Sequence, residues 1–346
     1  MRVKVKEHPN NQIQITLKND RDKNLIFSFI ATGVFILVCL IVYLIEMFDY
    51  SDAKVLQKAK DYYLNERYFM AIKYYDRVLR KNPNSNPDIY RDYGMSLMKL
   101  ADYDLAIKYL KKYQESEPEN IDALYNLAYV IYLKAKQNSD KQGFIEAAHY
   151  LESSIMLNQK FEKSYILLGL CYRGADMYDE ARAVYNKAIA LKSFSQAVFY
   201  NLIGHTFSEN KDYSKAIDYY KMSIATEASY VWAYLNLGDM YGILNEIQPA
   251  LENYKKVIAL TNDFIVPYVK IGELYMRQQK YYEVIQWLSQ ALKVNPEHAD
   301  ATYMLAQAYQ NTGRQKDMVE YLRKAARLGS DEAIYKLREL GMELGK

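Results

Sequence analysis

The chain has 346 residues, half of them hydrophobic and a quarter charged, which excludes wholesale disorder. Its 13 Gly and 7 Pro exclude a collagen-like chain, and its two Cys exclude a disulfide framework or a Cys-rich zinc or iron–sulfur site. The formal charge of +3 sits entirely in residues 1–24; the rest carries 39 basic and 39 acidic side chains, which argues against a phosphate-neutralising face and hence against nucleic acid as partner.

The first segment, 1–24, is a basic tail. Val3 and Val5 alternate with Lys, His8-Pro9-Asn10-Asn11 offers a turn, and Ile13, Ile15 and Leu17 alternate with polar residues, which predicts a hairpin. An isolated two-stranded hairpin is marginal in water. It either pairs with the sheet edge of a partner or lays its charges on anionic headgroups.

Leu25 to Ile45 follows, 21 residues without a charge. A helix of that length spans about 31 Å, enough for a bilayer core of roughly 30 Å. The apolar core of a cleaved signal peptide would be about half as long and would end at small residues, which Glu46-Met47-Phe48-Asp49-Tyr50 does not provide. The expectation is a retained single-pass transmembrane helix. Six basic residues precede it and three (Lys54, Lys58, Lys60) follow within 20, so the N-terminus is expected in the cytosol and the remainder outside, as an inner-membrane protein with a periplasmic or other extracytoplasmic domain. The Tyr-, Lys-, Asn- and Ile-rich usage resembles that of an AT-rich bacterial genome. Residues 46–51 are a short linker.

An internal repeat occupies the rest. The small or apolar residue in the pattern aromatic–x–acidic–Ala falls at Ala71, Ala106, Ala147, Ala181, Ala216, Ala250, Val284 and Met318, with spacings of 35, 41, 34, 35, 34, 34 and 34. The 41 marks an insertion of about seven residues, for which Gln137 to Gly143 reads as a loop. A small pair recurs at Tyr93-Gly94, Leu127-Ala128, Leu168-Gly169, Ile203-Gly204, Leu237-Gly238, Ile271-Gly272 and Leu305-Ala306. A large residue recurs in the following helix at Tyr75, Leu110, Leu151, Tyr185, Tyr220, Tyr254, Leu288 and Leu322, and Pro83, Pro118 and Pro296 close three repeats. These positions resemble the tetratricopeptide repeat (TPR) family. The resemblance implies an all-α, right-handed solenoid of about eight helix pairs, near 52–86, 87–120, 121–161, 162–196, 197–230, 231–264, 265–298 and 299–330. Ala333, Ile334, Leu337 and Leu340 form one stripe, so 331–346 is read as a capping helix. The large seam positions absorb most of the 36 Tyr, whose rings fill the seam while the hydroxyls reach water or a carbonyl.

No nucleotide, metal, hydrolase or redox motif occurs. His8, His149, His205 and His298 are scattered, and Cys171 inside a repeat helix reads as a small buried hydrophobe. No catalytic residue, cofactor or metal site is expected, and the chain is not read as an enzyme. The family resemblance implies that first helices line a concave groove. Tyr125, Tyr129, Tyr132, Ile166, Leu167 and Leu170 then form an apolar stripe, and Asn201, His205, Asn236, Asp239, Lys270, Glu273 and Arg277 a polar one. Some relatives clamp a peptide carboxylate with Lys, Asn and Arg, but only Asn236 and Lys270 stand at such places, while His205, Asn201 and Val266 replace the others. The expected partners are proteins, as a peptide or helix in the groove, including other TPR or envelope-complex proteins. Three roles remain open: an adaptor assembling an envelope complex, a structural part of a ring or collar of a motor or secretion apparatus, and a translocon-linked receptor for exported chains.

Overall fold

The computed structural model describes residues 5–7, 13–15, 33–34, 36–38, 52–83 and 86–342. The chain divides into two compact units, 1–116 and 117–346. In the first, β1 (Val5–Glu7) pairs antiparallel with β2 (Ile13–Ile15), Val5 opposite Ile15 and Glu7 opposite Ile13. Two helix pairs follow: α1 (Asp52–Leu64) with α2 (Tyr68–Lys81), and α3 (Pro87–Lys99) with α4 (Tyr103–Ser116). The expected membrane span at 25–45 lies outside the described residues except for Gly33, Val34, Ile36, Leu37 and Val38, which are helical. Among the described residues no helix is long and apolar enough to cross a membrane.

The second unit stacks six pairs. They are α5 (Ile121–Asn138) with α6 (Lys141–Leu157), α7 (Glu162–Gly174) with α8 (Tyr178–Ala190), and α9 (Gln196–Glu209) with α10 (Tyr213–Thr226). Next come α11 (Val231–Ile243) with α12 (Ile247–Leu260), α13 (Val266–Arg277) with α14 (Tyr281–Val294), and α15 (Ala299–Asn311) with α16 (Gln315–Arg327). A last helix, α17 (Asp331–Glu339), buries Ala333 and Leu337 against the end of the stack. It is shorter than the stripe predicts. Gly341 turns left-handed at φ 66° and the Met342 amide donates back to the Leu337 carbonyl at 2.9 Å, leaving Leu340 exposed.

The helices start where side chains satisfy free amides. Asn86 accepts from the Asp88 amide, Asn120 from Ala123, Asp212 from Lys215 and Ser330 from Ala333, and Pro87 opens α3. Within each pair the turn contains one residue with positive φ. It stands five places before the repeat's small anchor: Glu66, Ala101, Asp176, Lys211, Asn245, Gln279 and Gly313. Only the last is glycine, so the other six hold a strained left-handed residue at about 1 kcal/mol each, offset by the helix packing that follows.

The eighth turn differs, and here the loop expected at 137–143 is corrected. The insertion is helical. α5 continues ten residues past Ala128, where α7 continues five past Gly169, and α6 begins six residues before Ala147, where α8 begins three before Ala181. The connection is only Ser139 and Asp140, with Ser139 left-handed at φ 53° and the Asp140 side chain capping α6. Helix-favouring residues on both sides let the extra chain extend an existing pair, adding backbone hydrogen bonds that a loop would lack.

The core lies between and along the pairs. All eight anchors are buried, from Ala71 at 0% exposure to Met318 at 3%, as are the eight large residues opposite the small pair. A β-carbon at Gly169 would lie 2.2 Å from the Tyr185 ring, and one at Gly204 or Gly238 would lie within 2.7 Å of Tyr220 or Tyr254. Gly169→Ala should therefore destabilise the second unit by about 1–3 kcal/mol in urea unfolding. With Tyr185→Leu also present the alanine should cost less, because the shorter side chain vacates the space. Strictly additive effects of the two substitutions would contradict this packing.

Candidate functional site

The first helices of the second unit carry all thirteen residues of the expected groove, and two cavities open along them. Near its start, the Tyr125 and Tyr129 rings lie parallel one helical turn apart, with centroids 6.2 Å apart. Phe161 meets Tyr125 edge-on at 5.5 Å, and Phe144 lies 5.6 Å from Tyr132. Burial raises the pKa of the Tyr125 and Tyr132 hydroxyls, so these side chains stay neutral. Ile166 and Leu170 are half-buried beside them. Leu167 is a correction. It is only 3% exposed, because it stands about 100° around the helix from Ile166 and is turned inward, away from the Ile166 and Leu170 stripe.

The polar part is tied together more tightly than its sequence suggests. Asn201 is also a correction, being buried at 7% exposure. Its side-chain oxygen accepts from Asn236 Nδ2 at 2.9 Å, which fastens α9 to α11 and leaves Asn201 little surface to offer. Asp239 accepts from the Tyr254 hydroxyl at 2.7 Å. Lys270 Nζ lies 3.7 Å from Asp239 and 3.5 Å from Glu273. Arg277 Nη1 donates to the Gly242 carbonyl at 3.1 Å, at the end of α11. These groups rim a cavity of about 670 Å³ that also takes in His205 and Asn236. Its apolar lining comes from Met240, Ile243, Leu274, Met276 and Met304. Two cations face two carboxylates there, so the cavity is polar at its rim, close to neutral in charge and apolar within.

A second cavity of about 510 Å³ lies toward the aromatic stripe, lined by Tyr132, Lys136, Phe144, Leu170, Arg173, Gly174, His205 and Glu209. His205 lines both cavities and so joins the two halves of the groove. Arg173 and Glu209 are the members that sequence reasoning missed. The Arg173 side chain is 11% exposed, and its guanidinium reaches Glu209 at 2.8 and 2.5 Å in a two-pronged pair. The signal was present: Arg173 stands four residues past Gly169, facing the groove, and Glu209 stands four past His205. Beside them Phe144 packs on the bare Gly174 backbone, where a β-carbon would lie 2.6 Å from its ring.

Arg173 Nη2 also lies 2.9 Å from His205 Nδ1. A guanidinium has only donors, so Nδ1 accepts and the ring proton resides on Nε2. Burial, and then the Arg173 charge, depress the pKa of His205, with Glu209 opposing in part. Elsewhere, Cys171 is buried and its thiol pKa is pushed up by that burial. Among the described residues no cluster of three or more His, Cys, Asp or Glu could hold a metal ion.

The depressed histidine has a consequence for stability. In the unfolded chain His205 takes up its proton near pH 6.5, above its folded value. Its contribution is therefore complete above about pH 6.5 and is lost as pH falls below it. In His205→Gln, whose amide oxygen can accept from Arg173, the urea midpoint should drop less between about pH 7.5 and about pH 5.5 than in the natural chain. Equal drops would show that His205 is not held neutral.

Comparison with known proteins follows the same register. Two family models, both described as tetratricopeptide repeat, match this chain, one at 56–121, 91–137 and 269–333 and the other at 162–194, 197–226 and 233–264. Their matches pass over 138–161, which holds the end of the lengthened pair. The BBSome complex member BBS4 homolog of Drosophila melanogaster is 28% identical over 126 residues, 36% of this chain and 24% of that protein. The chain thus spans about a quarter of the curated relative it matches. Among solved structures, the APC/C hetero-tetramer Cut9-Hcn1 is similar with a TM-score of 0.48 and 17% identity, covering 82% of this chain and 55% of that one. YrrB, described as a TPR protein with an unusual peptide-binding site, is similar with a TM-score of 0.43 and 21% identity, covering 55% of this chain and 99% of that one. With the family matches spread from residue 56 to residue 333, the chain belongs to the tetratricopeptide-repeat proteins, which mediate protein–protein interaction.

Proposed function

We propose that the chain is a membrane-anchored, non-enzymatic scaffold that recruits a partner protein through the groove of its second unit into an envelope-associated complex. The observation that carries this reading is the pair of cavities meeting at His205 on the first-helix face, both holding paired charges, with Tyr132, Phe144 and Leu170 in the one nearer the aromatic stripe. An apolar surface of this extent, continued by a polar one with its own internal pairing, suits a peptide or helix with one apolar end and one polar end. The anchor is residues 25–45, with the basic tail in the cytosol and the repeats on the far side, periplasmic in a bacterium. Charge counting supports that orientation. Val34, Ile36, Leu37 and Val38, helical and each at least 50% exposed, are apolar surface of the kind that lipid would cover.

Two experiments bear on the reading. Crosslinked membranes are solubilised and the intact chain is compared with Tyr129→Glu/Leu170→Glu, after circular dichroism has shown both to be helical. The groove variant should recover its stoichiometric partner about tenfold less well. An unchanged assembly would transfer the contact to the outer surfaces and favour a ring or collar part. For the anchor, the intact chain should resist extraction by alkaline carbonate. Val34→Arg/Leu37→Arg should release it, because charges at the centre of a span are costly. Release of the intact chain by carbonate would contradict a transmembrane anchor.

A further inference from the structure

The helical insertion in the α5–α6 pair does more than lengthen two helices. Lys141 Nζ pairs with Asp176 at 2.6 Å, pinning the tip of the insertion to the turn between α7 and α8. The Gly143 backbone packs on Ala135, and Phe144 fills the space that Gly174 leaves bare. The added turn of α5 thus stands as a fixed wall beside the end of α7. Into the cavity so enclosed it puts one side chain, Lys136, which is exposed and is paired with no carboxylate among the described residues. Lys141 and Asp176 neutralise one another outside the cavity. Inside, Arg173 and Glu209 satisfy each other and His205 is neutral near pH 7, so the cavity carries one uncompensated positive charge, on Lys136.

We infer that this insertion builds a specificity pocket for an acidic side chain, Asp or Glu, of a peptide whose neighbouring apolar residues lie on Tyr125, Tyr129 and Leu170. The inference rests on the groove reading above and adds to it the chemistry of the partner. The one unpaired charge makes the pocket selective, because the Arg173–Glu209 pair is neutral as a whole. A basic side chain would be repelled by Lys136, whereas a carboxylate would pair with it.

The test uses the full-length chain in detergent micelles. Phage-displayed random dodecapeptides are panned on it and on Tyr129→Glu/Leu170→Glu, and the enriched consensus is synthesised with a fluorophore for anisotropy titration. The expected consensus carries Asp or Glu beside aromatic or aliphatic residues. Lys136→Glu should weaken its binding about fivefold, and replacing the peptide's acid by Lys should restore binding to that variant. Lys136 is on the surface, so the variant should fold, and Lys256→Glu on the distant α12 should leave the affinity unchanged. A consensus that needs Tyr129 and Leu170 but has no acidic residue, or that binds Lys136→Glu as tightly as the natural chain, overturns the pocket and leaves the groove reading standing. If no family is enriched that the Tyr129→Glu/Leu170→Glu chain loses, the groove reading itself falls, and the pocket with it.

Discussion

Where Gly169, Gly204 and Gly238 face Tyr185, Tyr220 and Tyr254, the aromatic ring occupies the place a β-carbon would need. Two helices can pair that closely only if one side of the contact has nothing to give way. The second unit is organised by such close approach, made by glycine against Tyr in three pairs and by Gly272 against Leu288 in another. This approach brings the anchor alanines to complete burial, fixes the short left-handed turns between the helices of a pair, and leaves each pair with an apolar side that only the next pair can cover. Tyr fills the seam with its ring, and at Tyr254 and Tyr75 the hydroxyl is satisfied by a carboxylate, donating to Asp239 and to Asp92.

The groove consists of the first-helix positions that this packing does not use. Since the inward positions are spoken for, the remaining side chains stand in register from one first helix to the next and pair across the gap. Asn236 with Asn201, Arg173 with Glu209, and Lys270 with Asp239 are such pairs. They span residues about one repeat apart, so each holds two neighbouring helix pairs in register as well as shaping the surface. A site made this way is stiff before any partner arrives, which lowers the entropic cost of binding.

The insertion shows how the same architecture makes one repeat unlike the others. Additional residues in the middle of a pair have two options, a loop or longer helices. Here the second wins, since both flanking segments already propagate helix and a two-residue turn closes the end. The lengthened pair then reaches the end of the next first helix, where Gly174 leaves room for Phe144, and the groove gains a wall at that point alone.

The period of 34, the anchors and their large partners are legible in the chain because helix pairing imposes the same local requirement in every repeat: a small residue, and a large one a fixed distance away. The membrane-length apolar segment and the uneven charge of its flanks are equally properties of the linear sequence. The groove was legible only in outline. Leu167 and Asn201 stand at first-helix positions yet are buried, because a rotation of a few tens of degrees decides whether such a residue faces solvent or its neighbour. Gln137 to Gly143 reads as a loop from its polar residues and its glycine, and only the structure shows that all of it except the Ser139-Asp140 turn is helix. The neutral state of His205 depends on its burial and then on Arg173, 32 residues away. The sequence by itself determined the repeat and its seam, which depend on spacing along one helix pair. The tertiary structure alone decided which of the leftover side chains meet, and hence the charge and shape of the groove, because those contacts join residues that only stacking brings together.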